Sequence, residues 1–229
     1  MHHPEPRFAR IAALIGDPTR ARMLAALMGG QALSAGELAR VAGIAAQTAS
    51  SHIAQLLASE LVVQRVQGRH RYLRLADADV AHALEVLSLV AERHAGAAKW
   101  EQPAFRPLKR ARSCYSHLAG ELGVALLDGM LRCATLVAEA GAYRLSEPGR
   151  AQWRALGLAV PEAVPQRGAR RFAYPCLDWS ERREHLAGSF ATALFEHALA
   201  HDWLRRVKDS RALTLTPGGQ SALAGWLSA

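Results

Sequence analysis

SAGELARVAGIAAQTASSHIAQLLASELVVQRVQGRHRYLRL, residues 34–75, decides the reading of the N-terminal part of the chain. It opens on Ser34-Ala35-Gly36-Glu37, a Ser-x-x-Glu capping box that satisfies backbone N–H groups left open at a helix start. Leu38, Ala39, Val41 and Ala42 follow at helical spacing, and Gly43 supplies the positive φ of a tight turn between helices. Ile44 is the apolar plug of that turn. A second helix is expected over about Ala45 to Glu60, with Ala49, Ile53, Leu56 and Leu57 inward. Its other face carries Gln47, Thr48, Ser50, Ser51, His52 and Gln55, and no charged side chain stands between Gln47 and Ser59. Short and amide side chains without acids suit a helix lying in a DNA major groove. Val62, Val63, Val66, Tyr72, Leu73 and Leu75 then flank Gln67-Gly68-Arg69 as a hairpin. Its projecting Arg65, Arg69, His70 and Arg71 are suited to phosphate or minor-groove contact.

The preceding stretch prepares this motif. Phe8, Ile11, Ala12, Leu14 and Ile15 give a first helix over residues 7–15. Asp17 is an N-cap with Pro18 at the first helical position, and the helix it opens runs to Met28 before Gly29-Gly30. From about Asp77 to Ala95 a long helix carries Val80, Ala83, Leu84, Val86, Leu87, Leu89, Val90 and Ala91. These positions cover too much of its circumference for a helix half in water, so a second partner surface is expected.

Asp17-Pro18-Thr19-Arg20, Leu24, Leu27, the capping box, Ser50-Ser51-His52-Ile53-Ala54-Gln55-Leu56 and Gly68-Arg69-His70-Arg71-Tyr72-Leu73-Arg74-Leu75 together resemble the ArsR-type winged-helix repressors. The resemblance spans roughly residues 8–95 and implies a homodimeric regulator that leaves a pseudo-palindromic operator when an inducer binds. It makes the long helix the dimer helix. Members of that family often sense metals through cysteines on the recognition helix or through acids and histidines on the dimer helix. This chain departs from the first pattern, since residues 45–60 contain no cysteine. For the second, Asp79, His82 and Glu85 share a helical face, at a spacing unlike the family's and equally suited to a solvated edge.

The remaining sequence is longer than the short family members require, and it repeats. His117-Leu118-Ala119-Gly120 returns as His185-Leu186-Ala187-Gly188, 68 residues later. The apolar helix after the first is echoed over residues 189–199, and Leu145-Ser146-Glu147-Pro148-Gly149 is echoed by Leu215-Thr216-Pro217-Gly218-Gly219. Each unit reads as helix, short hairpin and Ser- or Thr-capped helix, half of a winged helix, and two such units can bury each other's apolar faces. The expected fold is therefore mainly α with small β-hairpin wings (α+β). A winged helix-turn-helix DNA-binding and dimerisation domain occupies 1–97, a basic linker 98–113 and the repeat domain 114–229. The linker is the most basic stretch: Lys99, Arg106, Lys109, Arg110 and Arg112 stand against Glu101 in residues 96–115.

The repeat carries a candidate metal set. Cys114 and His117 lie in the first unit; Cys176, Asp178 and His185 occupy the corresponding region of the second. If the units face one another, two thiolates and one or two imidazoles converge, which suits zinc or a softer cadmium-like ion. Two other readings stand beside this one: a redox pair whose thiol is activated by Arg110, Arg112 or Arg171, and plain burial of small apolar thiols. Cys133, among Leu131, Leu136 and Val137, reads as core. An organic effector is a further alternative, with Trp100, Phe105, Tyr115, Tyr174, Trp179 and Trp203 as a lining. The repeat could equally serve as a protein-interaction module with no inducer site.

Composition bounds these readings. The net charge of +8 and sequence pI near 10.1 suit a polyanionic partner such as double-stranded DNA. Half the residues are apolar, enough for a buried core. Three cysteines, an odd number, argue against a disulfide scaffold and fit a reducing, cytoplasmic setting, and neither a signal peptide nor a membrane span is expected. No Gly-rich phosphate loop, Gly-x-Ser-x-Gly elbow or His-Glu-x-x-His motif appears, so a non-enzymatic regulator is expected.

Overall fold

A computed structural model of the chain describes residues 8–68, 70–92, 102–161 and 171–228. The chain forms two compact units, Met1–Leu84 and Glu85–Ala229. The boundary falls within one helix, earlier than the expected division at residue 97. No helix among the described residues is long and apolar enough to cross a membrane.

In the N-terminal unit, helices α1 (Phe8–Ile15), α2 (Pro18–Leu27), α3 (Ala35–Ala42) and α4 (Ala46–Ala58) precede a wing. The wing is the hairpin of β2 (Val62–Gln67) and β3 (His70–Leu75), with the short β1 (Leu33–Ser34) completing a sheet of order β1-β3-β2. The local signals act as their chemistry dictates. Asp17 accepts from the N–H groups of Thr19 and Arg20, the Ser34/Glu37 capping box closes in both directions, and Gly43 takes φ +71°. Gly68 turns the wing at φ +58°. Met23, Leu24, Leu27, Leu38, Ala49, Ile53, Leu56, Leu73 and Leu75 are buried together under these elements. This is a winged helix-turn-helix.

Helix α5 spans Ala78–Ala91, and residues 93–95 of the expected helix lie outside the described residues. The C-terminal unit then runs through α6 (Arg106–Arg110), β4 (Arg112–Cys114), β5 (His117–Ala119), α7 (Glu121–Arg132), β6 (Leu136–Glu139), β7 (Ala142–Leu145) and α8 (Glu147–Ala155). The second half gives β8 (Tyr174–Leu177), β9 (Glu184–Ala187), α9 (Ser189–Ala200), β10 (Leu204–Arg206), β11 (Leu213–Leu215) and α10 (Pro217–Leu227). The order hairpin–helix–hairpin–helix thus occurs twice, with a leading hairpin that the sequence reading of helix–hairpin–helix omitted. Matching backbone bonds accompany it. Ser146 N–H donates to Thr135 O and Thr216 N–H to Trp203 O, while Ser146 and Thr216 cap their helices through Gly149 N–H and Gly219 N–H.

Two expectations are corrected here. Residues 106–113, assigned to a linker, form α6 and β4, and Arg112 is buried with its charge paired rather than solvated. Cys133 is exposed rather than core: it is the C-cap of α7, and its Sγ donates to Gly225 O at 3.5 Å. The expected connection 161–171 lies mostly outside the described residues.

The C-terminal core is centred on aromatic stacking. Trp153 of α8 and Trp226 of α10 lie parallel, with ring centroids 4.2 Å apart, and Phe190 of α9 meets Trp153 edge-on. Gly129 lets α7 and α10 approach until a Cβ there would overlap the Trp226 carbonyl. Trp153→Ala is expected to destabilise this unit by about 3–5 kcal/mol. Urea unfolding followed by circular dichroism measures it, and a loss below about 1 kcal/mol would contradict this account of the core.

Candidate DNA-reading surface and buried Cys/His cluster

On α4 the residues expected to read DNA do not share one environment. Gln47, Thr48, Ser50 and Ser51 are exposed, and Ser50 Oγ donates to Ala46 O. His52 is half-buried, its Nδ1 3.8 Å from Asp17 Oδ1. Gln55 is exposed, but its Oε1 accepts from Arg20 Nη1 at 2.7 Å. Arg20 also donates to Leu14 O and Ala13 O at the end of α1, so the Asp17–Arg20 segment fastens α1 and α4 together. Nothing local in the sequence marks Arg20 for this role, because its partners lie on two other helices. Of the expected DNA-reading residues on α4, Gln47, Thr48 and Ser51 are thus exposed, while Gln55 is engaged by Arg20 and His52 lies beside Asp17. On the wing, Arg65 and Arg71 are exposed; Arg69 and the side chain of His70 lie outside the described residues.

In the C-terminal unit the four expected metal ligands do come together. Cys114 and His117 are directly opposite across β4–β5, and Cys176 and His185 are directly opposite across β8–β9. Opposed residues of an antiparallel pair project to the same side of their hairpin. With β5 lying against β9, each hairpin adds one thiol and one imidazole to a common centre. All four side chains are buried and their ligand atoms lie within 4.8 Å of one another. The two imidazole rings are 5.2 Å apart.

Behind this centre sits a carboxylate. Asp178 Oδ1 accepts from Arg112 Nη2 at 2.6 Å and from Ser180, and Oδ2 accepts from Gly120 N–H at 2.7 Å and lies 3.4 Å from His185 Nδ1. Arg112 stacks on the Trp179 ring at 3.8 Å and also donates to Leu108 O and Ser180 Oγ. Burial opposes the Asp178 charge, but His185, Arg112 and Gly120 N–H outweigh it and hold the carboxyl well below the usual range. Burial likewise opposes a charged His185, yet Asp178 and Cys176 lift its pKa to about 9. Cys176 is held low by the Cys114 thiol and then by His185, whereas Cys114 is pushed up by Cys176, by burial and by Glu85. Arg112, a candidate thiol activator, is committed to Asp178 instead.

Glu85 on α5 is buried and bonded to Arg211 at 2.9 Å rather than solvated. Arg211 belongs to the β10–β11 loop, and its carbonyl accepts from Ser113 N–H, next to Cys114. The cavity inside this unit, about 20 Å³, is lined by Leu118, Leu126, Met130, Leu194, Phe195 and other core groups, and by none of the aromatics proposed for an organic pocket.

Comparison with known proteins fits this architecture. A helix-turn-helix domain family matches residues 15–65. Over 218 residues, 95% of each chain, the sequence is 38% identical to an uncharacterized HTH-type transcriptional regulator, YdfF, of Bacillus subtilis. The chain belongs to the HTH-type transcriptional regulators, with a C-terminal region beyond the helix-turn-helix match. HTH-type transcriptional regulator CmtR of Mycobacterium tuberculosis is 38% identical over 80 residues, 35% of this chain and 67% of that protein. The solved structure of the cadmium metal-sensor CmtR from the same organism is 37% identical over 34% of this chain and 81% of its own, with a TM-score of 0.31. The homodimeric winged helix-turn-helix domain of Mb0332 from Mycobacterium bovis is 24% identical over 41% and 94%, with a TM-score of 0.36.

Removing the Asp178 carboxylate strands a buried guanidinium, so Asp178→Ala is expected to cost the C-terminal unit about 3–5 kcal/mol. The double variant Arg112→Leu/Asp178→Leu should recover part of that loss, because no charge is left unpaired. Denaturant unfolding of the single and double variants measures the coupling; simple additivity would contradict it.

Proposed function

We propose that this regulator is a homodimeric repressor that binds a pseudo-palindromic operator through α4 and the wing, and leaves it when an inducer reaches the C-terminal unit. The observation that carries the reading is the outer face of α4. Gln47, Thr48 and Ser51 are exposed, short and uncharged, on a helix with no acid to repel phosphate, beside a wing bearing Arg65 and Arg71. A net charge of +8 supports association with a polyanion. The dimer is supported by Val86, Leu87 and Val90, large apolar side chains left exposed on α5. Two-fold pairing would set two recognition helices about one DNA turn apart.

A role for the C-terminal unit in signalling is supported by how it holds the distal half of α5. Arg211 bonds Glu85, and Arg182, from the β8–β9 loop, donates to Glu92 O at 3.1 Å. Both arginines come from loops next to the Cys/His centre. A change there has a short path to the helix proposed to pair the protomers.

Fluorescence anisotropy on the DNA upstream of the protein's own gene tests the reading. Ser51→Ala should narrow the gap between specific and random DNA by about 1–3 kcal/mol. Arg71→Ala should weaken both alike and flatten the salt dependence. Equal losses on both DNAs for Ser51→Ala would contradict the assignment of α4. Leu87→Glu should convert dimer to monomer in sedimentation and abolish specific binding; an unaltered dimer would remove α5 from the interface.

A further inference from the structure

We propose that Cys114, His117, Cys176 and His185 form a closed four-coordinate site for a thiophilic divalent ion of the zinc and cadmium class, and that this ion is the inducer. The second clause rests on the repressor reading; the first stands without it. A tetrahedral zinc ion with two sulfur and two nitrogen ligands sets its donor atoms roughly 3.3–3.8 Å apart. The four donors here already lie within 4.8 Å, so closure needs a shift of about one ångström.

The donor chemistry selects the ion. Two thiolates and two neutral imidazoles suit a borderline or soft cation, while calcium and magnesium demand oxygen. Two thiolate charges also neutralise a divalent ion, which makes burial tolerable. Four protein ligands leave no open position, as befits a structural or sensing site rather than a catalytic one.

The surroundings complete the case. His185 Nδ1 faces Asp178 Oδ2 at 3.4 Å, an ion-pair distance without hydrogen-bond geometry, and its Nε2 is likewise buried with no hydrogen-bond partner among the described residues. A carboxylate fixing one ring nitrogen leaves the other to the ion, so Asp178 is a positioning residue. Asp178 is itself fixed by Arg112 and Gly120 N–H, so the ring is aimed before any ion arrives. Gly123 permits the close approach of α7, since a Cβ there would sit 3.5 Å from His185 Cβ and clash with the Leu118 carbonyl.

The test titrates cobalt(II), without DNA, into full-length protein that has been reduced and freed of metal. The expected result is one ion per chain, with the intense ligand-field bands of four-coordinate cobalt and thiolate-to-cobalt charge transfer, displaced by zinc or cadmium. Cys176→Ser, checked for folding by far-UV circular dichroism, should lose part of the charge-transfer intensity. Asp178→Asn should keep the four-coordinate spectrum while binding about 10–100-fold more weakly. A weak six-coordinate spectrum in the wild type overturns the site, as does an unchanged spectrum in the Cys114→Ser/Cys176→Ser double variant. A separate arm measures operator binding. An ion-induced fall of about tenfold or more, absent from the double variant, supports the inducer clause. Four-coordinate binding with unchanged operator affinity overturns that clause and leaves the site. An ion-free protein with no operator preference contradicts the repressor reading, and the inducer clause with it, whatever the cobalt spectrum shows.

Discussion

A carboxylate with no access to water must be compensated on every side, and Asp178 is compensated by both halves of the C-terminal unit. Arg112 on β4 and Gly120 at the start of α7 come from the first half, while Ser180 and His185 come from the second. The same loop that carries Asp178 returns to pair β9 with β8 and so sets His185 opposite Cys176. The ion pair thus ties β4 to the loop between β8 and β9. Two thiols and two imidazoles meet at one centre beside it. Replacing the pair with apolar groups would leave the unit folded but would remove the group that aims His185.

The N-terminal unit was legible because its determinants are local. A capping box, an Asp-Pro start, Gly43 and Gly68 each dictate backbone geometry within a few residues, and the apolar spacing follows them. The convergence of Cys114, His117, Cys176 and His185 was legible for a different reason: an internal repeat places equivalent residues in equivalent positions, so two separated Cys/His pairs can be superposed without a structure.

What stayed hidden depends on contacts distant in sequence. Arg112 looked like one more basic residue of a linker, since nothing local reveals that its partner lies 66 residues away. Glu85 looked like a solvated helix edge until Arg211, 126 residues on, met it. His52 and Gln55 have the composition of base-reading groups, yet Arg20 bonds Gln55 and Asp17 lies 3.8 Å from His52, neighbours that the spacing along α4 does not reveal. Cys133 has apolar neighbours in sequence, yet it stands exposed as the C-cap of α7.

If the ion at the Cys/His centre is the inducer, its binding and operator binding must be coupled reciprocally. The most direct measurement is the cadmium affinity of the reduced protein, first free and then saturated with its operator, by competition with a chelator. The account predicts that operator weakens cadmium binding by the same factor by which cadmium weakens operator binding. Equal cadmium affinity in the free and DNA-bound protein would contradict it.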